Sequence, residues 1–259
     1  MKKNIFLLIV LLLLTGCQKE VVEPVEEEVV NIEEPQIEEE VLTREEQTEI
    51  LKNYYGLLSS KSPTQDIIKL IDENVSKLDE DIVDEIVLSL EDHLVIANPS
   101  IRELSETLIK YKEYSSAEIQ SYLDILYTEG GKIFSDGETS VIPLNELTTR
   151  GLETEAHLRK FPDGKTYTKV KEYFSAYIYA AIQGVGNPYI YAEDGSSIIR
   201  EDVIEIYKGI IEYNPEFNMS KIFQKYLDTL ASDGNDINGQ NVVVFYEDLI
   251  RIIENNSKF

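Results

Sequence analysis

Residues 79–94 read Asp79-Glu80-Asp81-Ile82-Val83-Asp84-Glu85-Ile86-Val87-Leu88-Ser89-Leu90-Glu91-Asp92-His93-Leu94. Ile82, Val83, Ile86, Val87, Leu90 and Leu94 recur at the 3.6-residue period, so one face of a helix is apolar and the other acidic. Thirty-six residues on, Ile119, Tyr122, Leu123 and Leu126 fall in register with Val83, Ile86, Val87 and Leu90, and Pro99 matches Pro63. Working outward, Thr43 with Glu46 has capping-box spacing ahead of Ile50, Leu51, Tyr54, Leu57 and Leu58. Ser62-Pro63 predicts a second helix with proline at its first position, carrying Ile67, Ile68, Ile71 and Val75. Asn98-Pro99 predicts the opening of a fourth helix, and Ser115 with Glu118 that of a fifth. Helix starts near 43, 62, 79, 98 and 115 describe stacked helical hairpins, in either an α-solenoid-like array or an irregular bundle of evenly sized helices.

Beyond Gly130-Gly131, a possible sub-boundary, the texture changes. Ile133-Phe134 and Val141-Ile142 flank Asp136-Gly137 as a short β-hairpin would, and Tyr189-Ile190-Tyr191, Asp194-Gly195 and Ile198-Ile199 repeat that pattern. Helices are expected at about 144–160, 168–182, 201–213, 220–231 and 241–254. The predicted fold is mainly α: a multi-helix array of helical hairpins over residues 43–259, with one or two short β-hairpins.

The chain opens Met1-Lys2-Lys3-Asn4 and is then apolar from Ile5 to Leu14. Two lysines, a short apolar stretch and the small pair Thr15-Gly16 have the layout of a secretory signal peptide, here residues 1–16. Ten apolar residues as a helix reach about 15 Å, half of a roughly 30 Å hydrocarbon core. Leu14-Thr15-Gly16-Cys17 resembles the lipobox of bacterial lipoproteins. The resemblance implies cleavage before Cys17, di- or triacylation of that cysteine with fatty acids such as palmitate, and membrane attachment through the lipid. Cys17 is the single cysteine, so an internal disulfide plays no part.

There are 24 basic and 49 acidic residues, a formal charge of -25; loss of Lys2 and Lys3 with the signal makes it -27. Such a chain repels phosphate backbones and anionic headgroups, which excludes nucleic acid as a partner and leaves the membrane holding to lipid. Gln18 to Leu42 contains ten glutamates against Lys19 alone, with Pro24 and Pro35. With Cys17 it is expected to be a disordered acidic tether over 17–42, its ends about 25–30 Å apart as a coil and about 80 Å apart fully stretched. The alternative is an acidic arm for a basic partner or cations. Lysine outnumbers arginine three to one, and Ile, Asn and Tyr are abundant. That composition points to an AT-rich bacterium and a Gram-positive cell surface ahead of a Gram-negative periplasm.

Asp236-Ile237-Asn238-Gly239-Gln240-Asn241-Val242-Val243-Val244-Phe245-Tyr246-Glu247 resembles an EF-hand calcium loop. The resemblance implies calcium bound by Asp236, Asn238, Gln240, Val242 through its carbonyl, and Glu247, since a hard cation needs six or seven oxygens about one point. Asn241 stands where glycine is usual, Asn235 replaces an apolar residue, and the sequence shows no partner loop. The alternative is an amphipathic helix capped by Asn238 or Asn241, carrying Val242, Phe245, Tyr246, Leu249, Ile250 and Ile253.

Nine of sixteen tyrosines lie between Tyr167 and Tyr226. Tyr173, Tyr177, Tyr189 and Tyr191 are candidates for a ligand groove, against the plainer reading that they are half-buried core. His93 and His157 are expected at the surface. The sequence carries no nucleophile elbow, phosphate-cradling loop or HExxH. The expectation is a membrane-anchored extracytoplasmic lipoprotein, non-enzymatic, whose helical domain binds a protein, peptide or envelope component. The alternative is a cell-envelope hydrolase working through carboxylates.

Overall fold

Thr43 starts the first helix as its spacing predicts. Its hydroxyl accepts the Glu46 N–H at 3.3 Å, and the Glu46 carboxylate accepts the Thr43 N–H at 2.8 Å. The computed structural model describes residues 42–135, 141–183 and 195–256. Cys17, the rest of the signal and tether, Tyr189 and Tyr191 lie outside those residues. The chain runs through α1 (Arg44–Ser59), α2 (Thr64–Asp72), α3 (Glu80–Ile96), α4 (Ile101–Leu108), α5 (Ala117–Gly131), α6 (Leu144–Lys160), α7 (Tyr167–Gln183), α8 (Glu201–Tyr213), α9 (Asn218–Ser232) and α10 (Gln240–Asn256). Short 3-10 turns at Val75–Lys77 and Ile109–Tyr114 precede α3 and α5. Pro63 caps α2 rather than occupying its first turn, and α4 starts from a second capping box, Ser100 with Glu103. The residues described are mainly α, and none of their helices is long and apolar enough to cross a membrane.

One device recurs along the array. An acceptor near the start of one helix holds the backbone N–H of the residue that begins a later one. Gln47 Oε1 accepts from Asp79 N at 2.9 Å, Asp84 Oδ1 from Ser116 N at 2.9 Å, and Glu118 Oε1 from Thr166 N at 2.7 Å. The first two ties span 32 residues each and link α1 to α3 and α3 to α5. Each satisfies an otherwise orphaned helix-start donor and fixes the stacking distance. Farther on, the fully buried Glu155 carboxylate of α6 accepts the N–H groups of Asn218 and Met219 at the start of α9, at 2.5 and 2.9 Å. Burial raises the Glu155 pKa against the opposing pull of those bonds.

Two apolar clusters fill the interior. The first gathers Tyr54, Ile67, Val83, Val87, Leu90, Leu108 and neighbours from α1–α5, and the second centres on Phe174, Ile178, Tyr207, Phe223, Tyr226 and Leu249. Helix α5 feeds both, with Ile119 and Leu123 in the first and Tyr122 and Ile125 in the second. Each such side chain removed from water contributes about 1.5–3 kcal/mol.

The expected β-hairpins are not supported among the described residues, and much of each lies outside them. Val141 N donates to Phe134 O at 2.9 Å, but no strand forms among the described residues there, and 136–140 lie outside them. Ile198 pairs not locally but with Asp236, in an isolated antiparallel bridge: Ile199 N donates to Asn235 O and Ile237 N to Ser197 O, both at 2.9 Å. The segment before α8 is thereby clipped to the α9–α10 loop. The loop offers free backbone groups because Gly234 and Asn235 turn it through positive φ, at 66° and 65°. Alternating residues announce an extended segment but not its partner.

Candidate functional site: a cleft along helix α7

Helix α7 is buried on the face of Val170, Phe174, Tyr177, Ile178 and Ala181. Its other face, through Lys169, Glu172, Tyr173, Ala176 and Tyr179, borders two adjoining cavities of about 520 Å³ each, both lined by Phe134 and Ala176. One is apolar: Phe134, Ala176, Tyr179 and Ala180 face Ile250 and Ile253 of α10, with Glu254 at its edge. Ile250 is 63 % exposed there. The other is charged, bounded by Glu91, Asp92, Glu172, Lys169, Tyr122 and Tyr173.

At the charged end the Tyr122 hydroxyl donates to Glu91 Oε1 at 2.6 Å, and Lys169 Nζ lies 2.9 Å from Glu91 Oε2 and 3.1 Å from Asp92 Oδ1. Glu91 Oε2 has the lysine charge close by but no well-aligned hydrogen bond. Burial works against the Lys169 charge, yet Glu91 and Asp92 outweigh it and raise the pKa. Burial, with Glu129 and Glu91 nearby, pushes the Tyr173 hydroxyl up to about 12, so it stays a neutral donor at physiological pH. Tyr173 borders the charged cavity. Tyr177 does not: it is buried, its ring packs edge-on against Phe134 with centroids 5.2 Å apart, and its hydroxyl donates to Glu129 Oε1 at 2.5 Å.

Beneath the cleft sits a buried ionic cluster that sequence reasoning missed. Arg150 donates to Glu129 through one terminal nitrogen, which also reaches the Lys132 carbonyl at 2.8 Å, and to Glu146 through the other at 2.6 Å. Arg150 and Glu129 are both nearly inaccessible, and Arg150 Nε has no acceptor among the described residues.

The five calcium candidates are not gathered about a point. Asp236 closes a tight turn, Oδ1 accepting Asn238 N at 2.9 Å, and the Ser197 hydroxyl and that N–H hold its carboxyl below the usual range. Gln240 begins α10, Val242 is buried and Glu247 is exposed farther along that helix. Gln240, Val242 and Glu247 thus lie on one regular helix rather than along a loop wrapped round a point, with about 10 Å of helix rise from Gln240 to Glu247. Asp233, rather than Asn238 or Asn241, caps α10: Oδ2 accepts the N–H groups of Asn241 and Val242 at 2.7 and 3.0 Å. No group of three or more metal-binding side chains occurs among the described residues.

His157 corrects the surface expectation, being only 2 % exposed. Nδ1 lies 2.9 Å from Ser121 Oγ, Nε2 lies 2.9 Å from Thr166 Oγ1, and the Phe161 ring tilts against it at 5.0 Å. Burial lowers its pKa from the ordinary 6.5, helped by Lys160 and opposed by Glu118. As pH falls below about 6.5 the unfolded chain takes the proton first, so stability supplied by neutral His157 is complete above that pH and lost through the folded pKa. The melting temperature of His157→Gln is expected to approach that of the native protein between about pH 7 and pH 5. A constant gap over that range would show that His157 does not titrate differently on folding.

The described residues place the chain among all-α proteins. No protein-family model, curated protein or solved structure matches it.

Proposed function

We propose that this is an extracytoplasmic lipoprotein, attached to the outer face of a membrane through lipid on Cys17, whose helical domain binds a cationic amphipathic peptide segment of another protein. The observation that carries the binding reading is the α7 cleft, with its apolar and acidic ends side by side. Apolar side chains of a partner would replace water over Ile250, Tyr179 and Phe134, and basic ones would meet Glu91, Asp92 and Glu172, which outnumber Lys169. The glutamate-rich segment 18–42 serves as a spacer, and the domain's negative charge steers a basic partner towards it.

Support for a hydrolase working through carboxylates is weaker. The buried carboxylates Asp84, Glu91, Glu129 and Glu155 each already accept a hydrogen bond from the fold. Calcium is not part of this reading.

The test is titration of the protein with a fluorescent Leu/Lys amphipathic peptide beside its Leu/Glu counterpart. Binding of the basic peptide alone is expected, weakened at least tenfold, or about 1.4 kcal/mol, by Ile250→Asp. Ile250 is exposed, so that change leaves the core intact. Equal binding of both peptides, or indifference to Ile250→Asp, would overturn the assignment.

A further inference from the structure

Ser121, His157, Thr166 and Glu118 form one chain of hydrogen bonds, and its last link fixes its direction. Glu118 Oε1 accepts both the N–H and the O–H of Thr166, each at 2.7 Å. A threonine hydroxyl has a single proton. With that proton on the carboxylate, Thr166 Oγ1 accepts from His157 Nε2 at 2.9 Å. Nε2 therefore carries the ring proton, and Nδ1 is a bare acceptor facing Ser121 Oγ at 2.9 Å. Other helical hydroxyls here, Ser59, Ser89, Thr107 and Thr229, bond the carbonyl four residues back. Ser121 instead turns to an imidazole.

The chain ends at open space. Ser121 and His157 line a cavity of about 480 Å³ with Tyr127, Asp124, Glu153 and Lys160 on its walls. A hydroxyl, a neutral imidazole aimed at its proton and an acid-anchored group behind the imidazole are the parts that nucleophilic acyl transfer needs. We propose that this cavity is an esterase site, with Ser121 as nucleophile, His157 as general base, and Thr166 and Glu118 as positioning residues.

Ser121 Oγ adds to the ester carbonyl as its proton passes to His157 Nδ1. The C–O bond to the alcohol portion then breaks, and the imidazolium returns the proton to that oxygen, leaving an acyl-serine and a free alcohol. Water adds by the same route, releasing the carboxylic acid and restoring Ser121. Lys160 offers positive charge on the cavity wall to the developing oxyanion. Burial keeps His157 in its neutral, basic form down to below its ordinary pKa, with Lys160 favouring and Glu118 opposing that form. Asp124 and Glu153 also face the cavity, and Lys112 pairs with Asp124 at 2.6 Å. The activity is independent of peptide binding along α7.

The test treats the full-length protein with an alkyl fluorophosphonate and maps the adduct by peptide mass. A near-stoichiometric adduct on Ser121 is expected, absent from Ser121→Ala, with a rate that rises with pH through a midpoint below about 6.5. Thr166→Val and Glu118→Gln should each slow labelling at least tenfold and move that midpoint, which a purely structural role would not do. Hydrolysis of p-nitrophenyl acetate should fall with the same variants. An unlabelled Ser121 in folded native protein would overturn the proposal, as would labelling indifferent to both positioning variants.

Discussion

Replacing Arg150 by methionine is expected to lower the unfolding free energy by about 3–5 kcal/mol. The guanidinium is 5 % exposed and the Glu129 carboxylate 3 %. Without Arg150, Glu129 keeps, among the described residues, the Tyr177 hydroxyl and a long contact from Phe134 N at 3.4 Å. A carboxylate so buried and so poorly compensated must either stay charged at high cost or take up a proton. Glu129→Gln in the same chain removes the charge and keeps an acceptor for Tyr177, so the double variant should be more stable than Arg150→Met alone. Urea denaturation of the four proteins gives the coupling, expected to exceed about 1 kcal/mol. Additive losses would mean that the pair does not act as a buried unit. The cluster joins α5, α6 and α7, so its loss should also loosen the floor of the cleft.

Cys17→Ala is expected to move the protein almost wholly from the membrane to the soluble fraction. Each buried methylene of an acyl chain contributes about 0.8 kcal/mol, one chain binds reversibly, and two or more hold stably. Among the described residues no helix is long and apolar enough to cross a membrane, and the charge of -25 over the whole sequence is repelled by anionic headgroups. Fractionation of cells expressing both forms, with intact-mass measurement of the native protein, reads the result. Unchanged membrane retention, or a native mass without acyl groups, would remove the anchor from the proposed function. The cleft and the Ser121 relay would stand or fall separately, since neither uses Cys17.

Helix boundaries were legible to within a few residues because both signals behind them are local. Thr43 with Glu46 and Ser100 with Glu103 are caps written in four consecutive residues, and the apolar period of 82–94 needs one helix to be read. The 36-residue recurrence pointed to repeated hairpins; the ties Gln47–Asp79 and Asp84–Ser116 are set 37 residues apart. The cleft was half legible: Tyr173 borders it, whereas Tyr177, on the same helix one turn on, is core. The relay was missed because its members sit at 118, 121, 157 and 166, and no spacing rule links them. Asp233 was passed over as a cap because it reaches α10 across a reversed loop.

By itself the sequence determined the mainly helical class, the positions of the helices and the acidic charge. These follow from periodicity, capping and composition, which need no knowledge of neighbours far along the chain. Only the tertiary structure decided that Ile198 pairs with Asp236, that Arg150 and Glu129 are buried together, that His157 faces Ser121, and that α10 already begins at Gln240. Each is a choice of partner made when helices pack. The energy of a buried charge or hydrogen bond depends on which group packing brings within about 3 Å, not on the residue's type or its place in the chain.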